Sequence, residues 1–260
     1  MEQAKARVYV IFGATGGIGA ALARRLLDNT GGHSQLLLVA RNEDRLNALT
    51  GDLRNGYPAA SIEQRALDAT DVPQVEAFLE EVAATYGSLD GVANCIGSIL
   101  LKPIHLTTES EWASTIQINL GSAFAVTRAA VKAMIRTGQT GGSIALVSSA
   151  AARIGLSNHE AIAAAKGAIN GLVLSAAASY APRGIRVNAV APGLVRTPMT
   201  SRITGNEASL KASTAMHALG RIGEPEDVAS GLAWLLDPAQ SWVTGQILGI
   251  DGGLGSLRGR

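Results

Sequence analysis

Val8-Tyr9-Val10-Ile11-Phe12-Gly13-Ala14-Thr15-Gly16-Gly17-Ile18-Gly19 is the stretch that decides the fold. Five apolar residues run without a break and stop at glycine, as a parallel strand buried on both faces does. More glycines follow, and a helical pattern then extends from 18 to about 29. Glycine lets the backbone turn sharply and come close to a diphosphate. The helix N-terminus offers that anion free N–H groups and partial positive charge. A strand before the turn and a helix after it supply the context that a glycine pattern needs. Without a ligand it would be an ordinary turn.

Outward from this unit, strand and helix alternate. Apolar runs predict strands over 36–39, 62–67, 89–93, 143–147, 185–190 and 246–250. Helical patterns fill 43–53, 73–86, about 109–136, about 158–180 and 225–236. Asn42 is placed to cap the second helix. Pro73 suits the first turn of the third, where its missing N–H costs nothing. Repeated βα units imply a doubly wound α/β Rossmann fold with right-handed crossovers and helices on both faces of about seven parallel strands. No linker divides 1–260, so one domain is expected. The stretch 194–222, rich in Thr, Ser and Gly, reads as a substrate lid or as a mobile surface loop.

Composition narrows the function. Apolar residues make up 47% and aromatics only 4%, so small aliphatic side chains must fill the core. Net charge is +1 with no long basic run, which argues against nucleic acid as a partner. The single Cys95 excludes an internal disulfide and suits a reducing, cytoplasmic setting. Residues 1–7 are polar, so a signal peptide is not expected. No uninterrupted apolar stretch reaches spanning length, and no membrane is expected as a partner. Four scattered histidines suggest no metal site.

Three motifs in order, Gly13 to Gly19, Ser148-Ser149, and Asn158-His159-Glu160-Ala161-Ile162-Ala163-Ala164-Ala165-Lys166, resemble the short-chain dehydrogenase/reductase family. The resemblance runs from Val8 to Gly253. It implies a dinucleotide on Gly13, Thr15, Gly16, Gly17, Ile18 and Gly19. It also implies that Asp68 and Ala69 touch the adenine, and that Asn94 and Gly97 lie under its ribose. Pro192, Gly193, Val195 and Thr197 would hold the nicotinamide carboxamide. Phe12 and Cys95 depart from the family pattern; Cys95 reads as a small buried residue. The second strand ends at Ala40, where an acid would repel a 2′-phosphate, and Arg41 follows. The arginine fork suits phosphate, so NADP(H) is the expected cofactor, with Asn42 assisting. A solvated Arg41 is the alternative.

The same resemblance assigns the reaction end. Ser149 would hold the substrate oxygen, Lys166 the nicotinamide ribose, and Asn119 a relay water. The family's proton-donating tyrosine, four residues before the lysine, is here Ile162. General acid catalysis is worth roughly 10²–10⁴-fold, so a substitute is needed. Ser157 followed by Glu160 suggests a capping box, which puts His159 in the first turn on the face of Ile162 and Lys166. His159 is therefore a candidate donor, or else a solvent-facing residue. Its spacing to Lys166 resembles the tyrosine–lysine spacing of bacterial enoyl-acyl-carrier-protein reductases. His105 is a second candidate. Reduction of a conjugated C=C tolerates the loss better than ketone reduction, because an enolate needs hydrogen-bond donors and water can protonate it.

Two readings remain. One is an NADP(H)-dependent oxidoreductase acting on a small carbonyl or enone substrate. The other is a dinucleotide-binding protein without turnover, with a regulatory or structural role. The resemblance also implies a homo-oligomer, dimer or tetramer, formed on the helices at 109–136 and 158–180. Their small-residue face includes 161–165 and 176–178.

Overall fold

A computed structural model describes residues 6–257; the first residues of the polar N-terminal lead and the end of the tail at Arg260 lie outside the described residues. Seven strands form one parallel sheet: β1 (Arg7–Phe12), β2 (Ser34–Ala40), β3 (Ser61–Ala66), β4 (Gly91–Asn94), β5 (Gly142–Val147), β6 (Ile185–Pro192) and β7 (Ile247–Ile250). Their order is β3-β2-β1-β4-β5-β6-β7. The fold is the doubly wound Rossmann arrangement expected.

Both faces of the sheet are covered because successive side chains point to opposite sides. Val8, Val10 and Phe12 of β1 pack with α3 (Val72–Tyr86), α5 (Ser122–Arg136) and α6 (Glu160–Tyr180). Tyr9 and Ile11 pack with α1 (Gly17–Thr30) and α9 (Pro225–Leu236) on the other face. Each such aliphatic side chain contributes roughly 1.5–3 kcal/mol when fully buried. Phe12, the departure at the first turn, packs edge-on against Phe78, with ring centroids 6.2 Å apart. Its size is used in the core.

The chain leaves β1 toward β2 on one side and reaches β4 on the other. That reversal opens a crevice at the carboxyl ends of β1 and β4, where ligands of such sheets bind. α2 (Glu43–Gly56) is capped by Asn42, whose Oδ1 accepts from Arg45 N at 2.8 Å. α3 is capped by Asp71 and carries proline in its first turn.

Three expectations need correction. The helix at 109–136 is broken in register: α4 (Glu109–Ile116) passes into α5 through a π turn over Gln117–Gly121. The segment after β6 is largely helical. It holds a turn at Pro198–Thr200, then α7 (Ser201–Thr204) and α8 (Glu207–Met216), the latter capped by Asn206. Polar composition there reflects exposed short helices rather than absence of structure.

The small-residue face of α6 is divided. Ala161, Ala165, Ala176 and Ala177 are buried in the protein's own core, and Ala164, Ala168, Gly171, Ser175 and Ala178 are exposed. Finally, Glu160–Arg183 is long and apolar enough to cross a membrane by length and composition. Here that segment packs against β6, with the buried Lys166 on its inner face.

Candidate active site

The glycine turn is locked by its surroundings. Gly13 N and Ala14 N both donate to Val39 O, at 2.8 and 3.1 Å. Gly13 sits at φ +77, and a Cβ there would come within 2.9 Å of the Cys95–Ile96 backbone. A Cβ on Gly19 would overlap Gly13 O, and one on Gly17 would lie 3.0 Å from Thr197 Cγ2. The bare backbone therefore brings Gly13 to the exit of β4 and Gly17 to the segment after β6. α1 begins at Gly16 with no side-chain cap and no acidic residue in its first turn, so its leading N–H groups are free for an anion.

Arg41 is exposed directly after β2, beside Asp68. Asp68 Oδ1 accepts from Thr70 N and Thr70 Oγ1, both at 2.9 Å. Those bonds, the backbone one above all, hold its carboxyl below the usual range, and Arg41 adds to the effect. Asn42 spends its Oδ1 on the helix cap. A second guanidinium, Arg45, donates to Thr15 O at 2.9 Å and so stands at the same mouth. Sequence reading missed Arg45; its place one helical turn beyond Arg41 was the available signal.

Asn94 is buried, and both ends of its amide are used internally. Oδ1 accepts from Ile96 N at 3.0 Å, and Nδ2 donates to Ser122 Oγ at 3.2 Å. It shapes the turn into Gly97. Ala69 is buried behind Asp68. Cys95 sits in surroundings that push its thiol up to about 12, chiefly by burial, so it remains a neutral small residue.

At the other end, Gly97, Asn119 and Lys166 meet. A Cβ on Gly97 would lie 3.2 Å from Asn119 Oδ1 and 3.5 Å from Lys166 Nζ. Asn119 lies inside the π turn and is fully buried. π turns of this kind recur at functional sites. Its Nδ2 donates to Ser98 Oγ and Thr115 O, both at 2.9 Å, and its Oδ1 accepts from Ser98 N at 3.2 Å. Ser98 is thus part of the cluster, which spacing alone did not indicate.

The serine pair divides its work. Ser148 is buried and donates to Asn170 Oδ1 at 2.7 Å, with Lys166 O at 3.2 Å, tying β5 to α6. Ser149 accepts from Ala151 N at 3.1 Å and keeps its hydroxyl proton for another acceptor. Lys166 is 6% exposed and donates to Val147 O at 2.7 Å. Burial lowers its ammonium from 10.5 to about 8. Ile162, one turn earlier on α6, is 4% exposed and brings no polar atom.

The expected capping box at Ser157 does not form. Asn158 adopts φ +64, and α6 starts at Glu160 with His159 as its N-cap residue. A left-handed residue cannot belong to the helix, so the first turn begins two residues later than the cap pattern implied. His159 Nδ1 instead pairs with Ser157 O at 2.7 Å. His33 and His105 are exposed.

His217 is buried. Its Nδ1 donates to Ser213 O at 2.7 Å and its Nε2 accepts from Leu194 N at 3.1 Å. It thereby joins the two ends of the segment carrying Val195 and Thr197. Val195 is buried, Pro192 ends β6, and Gly193 must lack a side chain because His217 fills the space beside it. Sequence spacing has no signal for a contact of this range.

Comparison with known proteins agrees with this fold. A family model described as enoyl-(acyl carrier protein) reductase matches residues 13–255. A cis-4-hydroxycyclohexanecarboxylate dehydrogenase of Sinomonas cyclohexanicum is 37% identical over 95% of this chain and 96% of its own. A short-chain type dehydrogenase/reductase from Mycobacterium ulcerans superposes with TM-score 0.90 at 31% identity, covering 97% of this chain and 91% of that one. A gluconate 5-dehydrogenase from Burkholderia cenocepacia, in complex with NADP and tartrate, gives TM-score 0.89 at 27% identity over 96% of each chain.

Proposed function

Since this chain belongs to the short-chain dehydrogenase/reductase family of oxidoreductases, we propose that it is an NADP(H)-dependent member that reduces a carbonyl or conjugated enone with a proton donor other than tyrosine. The observation that carries this reading is the meeting of Gly97, Asn119 and Lys166. A protein that only bound a dinucleotide would have little use for Ser149 and Asn119.

The residues fit the cofactor. Gly13, Gly16, Gly17 and Gly19 leave bare backbone where a diphosphate must approach, and α1 offers free N–H groups there. Arg41 carries the choice of NADP(H), as an exposed fork following a strand that ends in alanine, with Arg45 beside it. The gluconate 5-dehydrogenase of similar fold binds NADP. Pro192, Gly193, Val195 and Thr197 would face the nicotinamide end, and Lys166 its ribose. The reduced cofactor supplies hydride when bound.

The remaining work falls to the chain. Ser149 directs its free hydroxyl proton at the substrate oxygen and stabilises the charge that develops there. Asn119 holds the loop at Ser98 against the helix. The segment 194–222 serves as the lid that keeps water out, with His217 as its latch. Ile162 favours the second reading, a binding protein without turnover. The exposed stripe Ala164, Ala168, Gly171, Ser175 and Ala178 on α6 suits close helix pairing in a homo-oligomer. The cytoplasm is the proposed location.

The test is NADPH oxidation over a panel of ketones, aldehydes and conjugated enones, with wild type beside Ile162→Tyr. Turnover by wild type supports the enzyme. Turnover by Ile162→Tyr alone supports the binding protein.

A further inference from the structure

Resting on the oxidoreductase reading above, we propose that Lys166 is itself the acid of this site, donating the proton that a tyrosine at position 162 would have given.

The sites for a proton here can be enumerated. Ile162 has none. Ser98 and Ser149 carry hydroxyls, and Asn119 an amide, none of which releases a proton near neutral pH. Cys95 holds its proton up to about 12. His159 has Nδ1 committed to Ser157 O and stands at the start of α6, ahead of Ile162, with no side-chain bond to the helix. Lys166 is left. It follows Ile162 by one turn, so the two share the inner face of α6.

Its geometry suits a donor. An ammonium carries three protons, and only Val147 O takes one within the protein. No carboxylate neutralises it among the described residues. The gap left by Gly97 opens directly on Nζ. Burial brings the ammonium to about 8, against 10.5 for a free lysine, so it is charged at neutral pH and yet releases its proton readily. When bound, the reduced cofactor would supply hydride to the carbonyl carbon, and the C=O π pair would move onto oxygen. That oxygen takes a proton from Nζ: the N–H bond breaks, an O–H bond forms, and a neutral amine remains. Water returns the proton to the amine before the next turnover.

The experiment compares wild type, Lys166→Arg and Lys166→Arg/Ile162→Tyr. It follows NADPH binding by fluorescence titration and reduction of ethyl chloroacetoacetate by NADPH absorbance. Arginine keeps the charge but does not release its proton. Lys166→Arg, which keeps a cation toward the ribose, is expected to weaken NADPH binding by no more than about tenfold and, at saturating NADPH, to lose about 100-fold in turnover, with the added tyrosine restoring at least a tenth of the wild-type rate. In wild type, the rate falls as pH rises through about 8. Undiminished turnover by Lys166→Arg, or a rate flat across that range, overturns the assignment and leaves the enzyme standing. A rate set by a group titrating below pH 7 overturns it too and passes the role to a histidine. Wild type that binds NADPH but never oxidises it removes the oxidoreductase reading and this inference together.

Discussion

His217 Nε2 accepts the amide of Leu194 at 3.1 Å, across 23 residues of chain, while its Nδ1 holds Ser213 O. One buried ring thus pins both ends of the segment that carries Val195 and Thr197. Removing it leaves a buried amide without a partner, at a cost of about 1–3 kcal/mol. His217→Ala should lower the melting temperature and speed proteolysis within 198–216, with weaker dinucleotide binding. Limited proteolysis with and without NADPH checks this; cleavage unchanged from wild type would show that the latch is not needed.

Arg41 is exposed just after β2, beside Asp68, where a ribose phosphate would be read. Arg41→Ala should weaken NADPH about tenfold more than NADH, since a charge-assisted pair to phosphate contributes roughly 1.5–3 kcal/mol. Binding of both cofactors is measured by fluorescence. Equal losses would remove the phosphate assignment.

Gly19 cannot accept a side chain without striking Gly13 O. Gly19→Ala should cost about 1–3 kcal/mol through overpacking against backbone, and should abolish dinucleotide binding by displacing the turn. Gly51, mid-helix in α2 with open space around it, is the control: Gly51→Ala should leave dinucleotide binding unchanged and add about 0.5–1 kcal/mol of stability. Thermal denaturation and cofactor titration decide it.

Lys166 sets a pH dependence of stability. Its folded value, about 8, lies below the ordinary 10.5. Below pH 8 the lysine is charged in both states, and the folded state bears the desolvation cost in full. Between the two values the unfolded chain binds the extra proton, so stability rises with pH as the cost is relieved. Lys166→Met should therefore stabilise the protein free of cofactor at pH 7, by up to roughly 3 kcal/mol. The gain should shrink toward pH 10. A destabilised variant at pH 7 would show that the bond to Val147 O outweighs the buried charge.

Much of this was legible in the sequence because both faces of the sheet are buried. A run such as Leu36-Leu37-Leu38-Val39 has no polar alternative to a central strand. The glycine turn was equally clear, since steric exclusion at Gly13 and Gly19 writes itself into residue type. Long-range hydrogen bonds left no such trace. His217, Arg45 and Ser98 join the site through contacts between distant segments, and Ser148 and Ser149, both just after β5, differ in partners: Asn170 for the first and Ala151 N for the second. Ser157 and Glu160 match a capping pattern, yet Asn158 turns left-handed between them and moves the helix start. A π turn at Asn119 has no periodic signature. The short helices over Ser201–Thr204 and Glu207–Met216 are too exposed to carry an apolar stripe.

The most direct measurement is transfer of deuterium from NADPH deuterated on the reactive nicotinamide carbon, read by mass spectrometry of the products from the ketone and enone panel. The wild-type chain, with Ile162 in place, is predicted to yield a product carrying one deuterium. Deuterated product from Ile162→Tyr, with none from wild type although both bind NADPH, would contradict the central claim and leave a dinucleotide-binding protein.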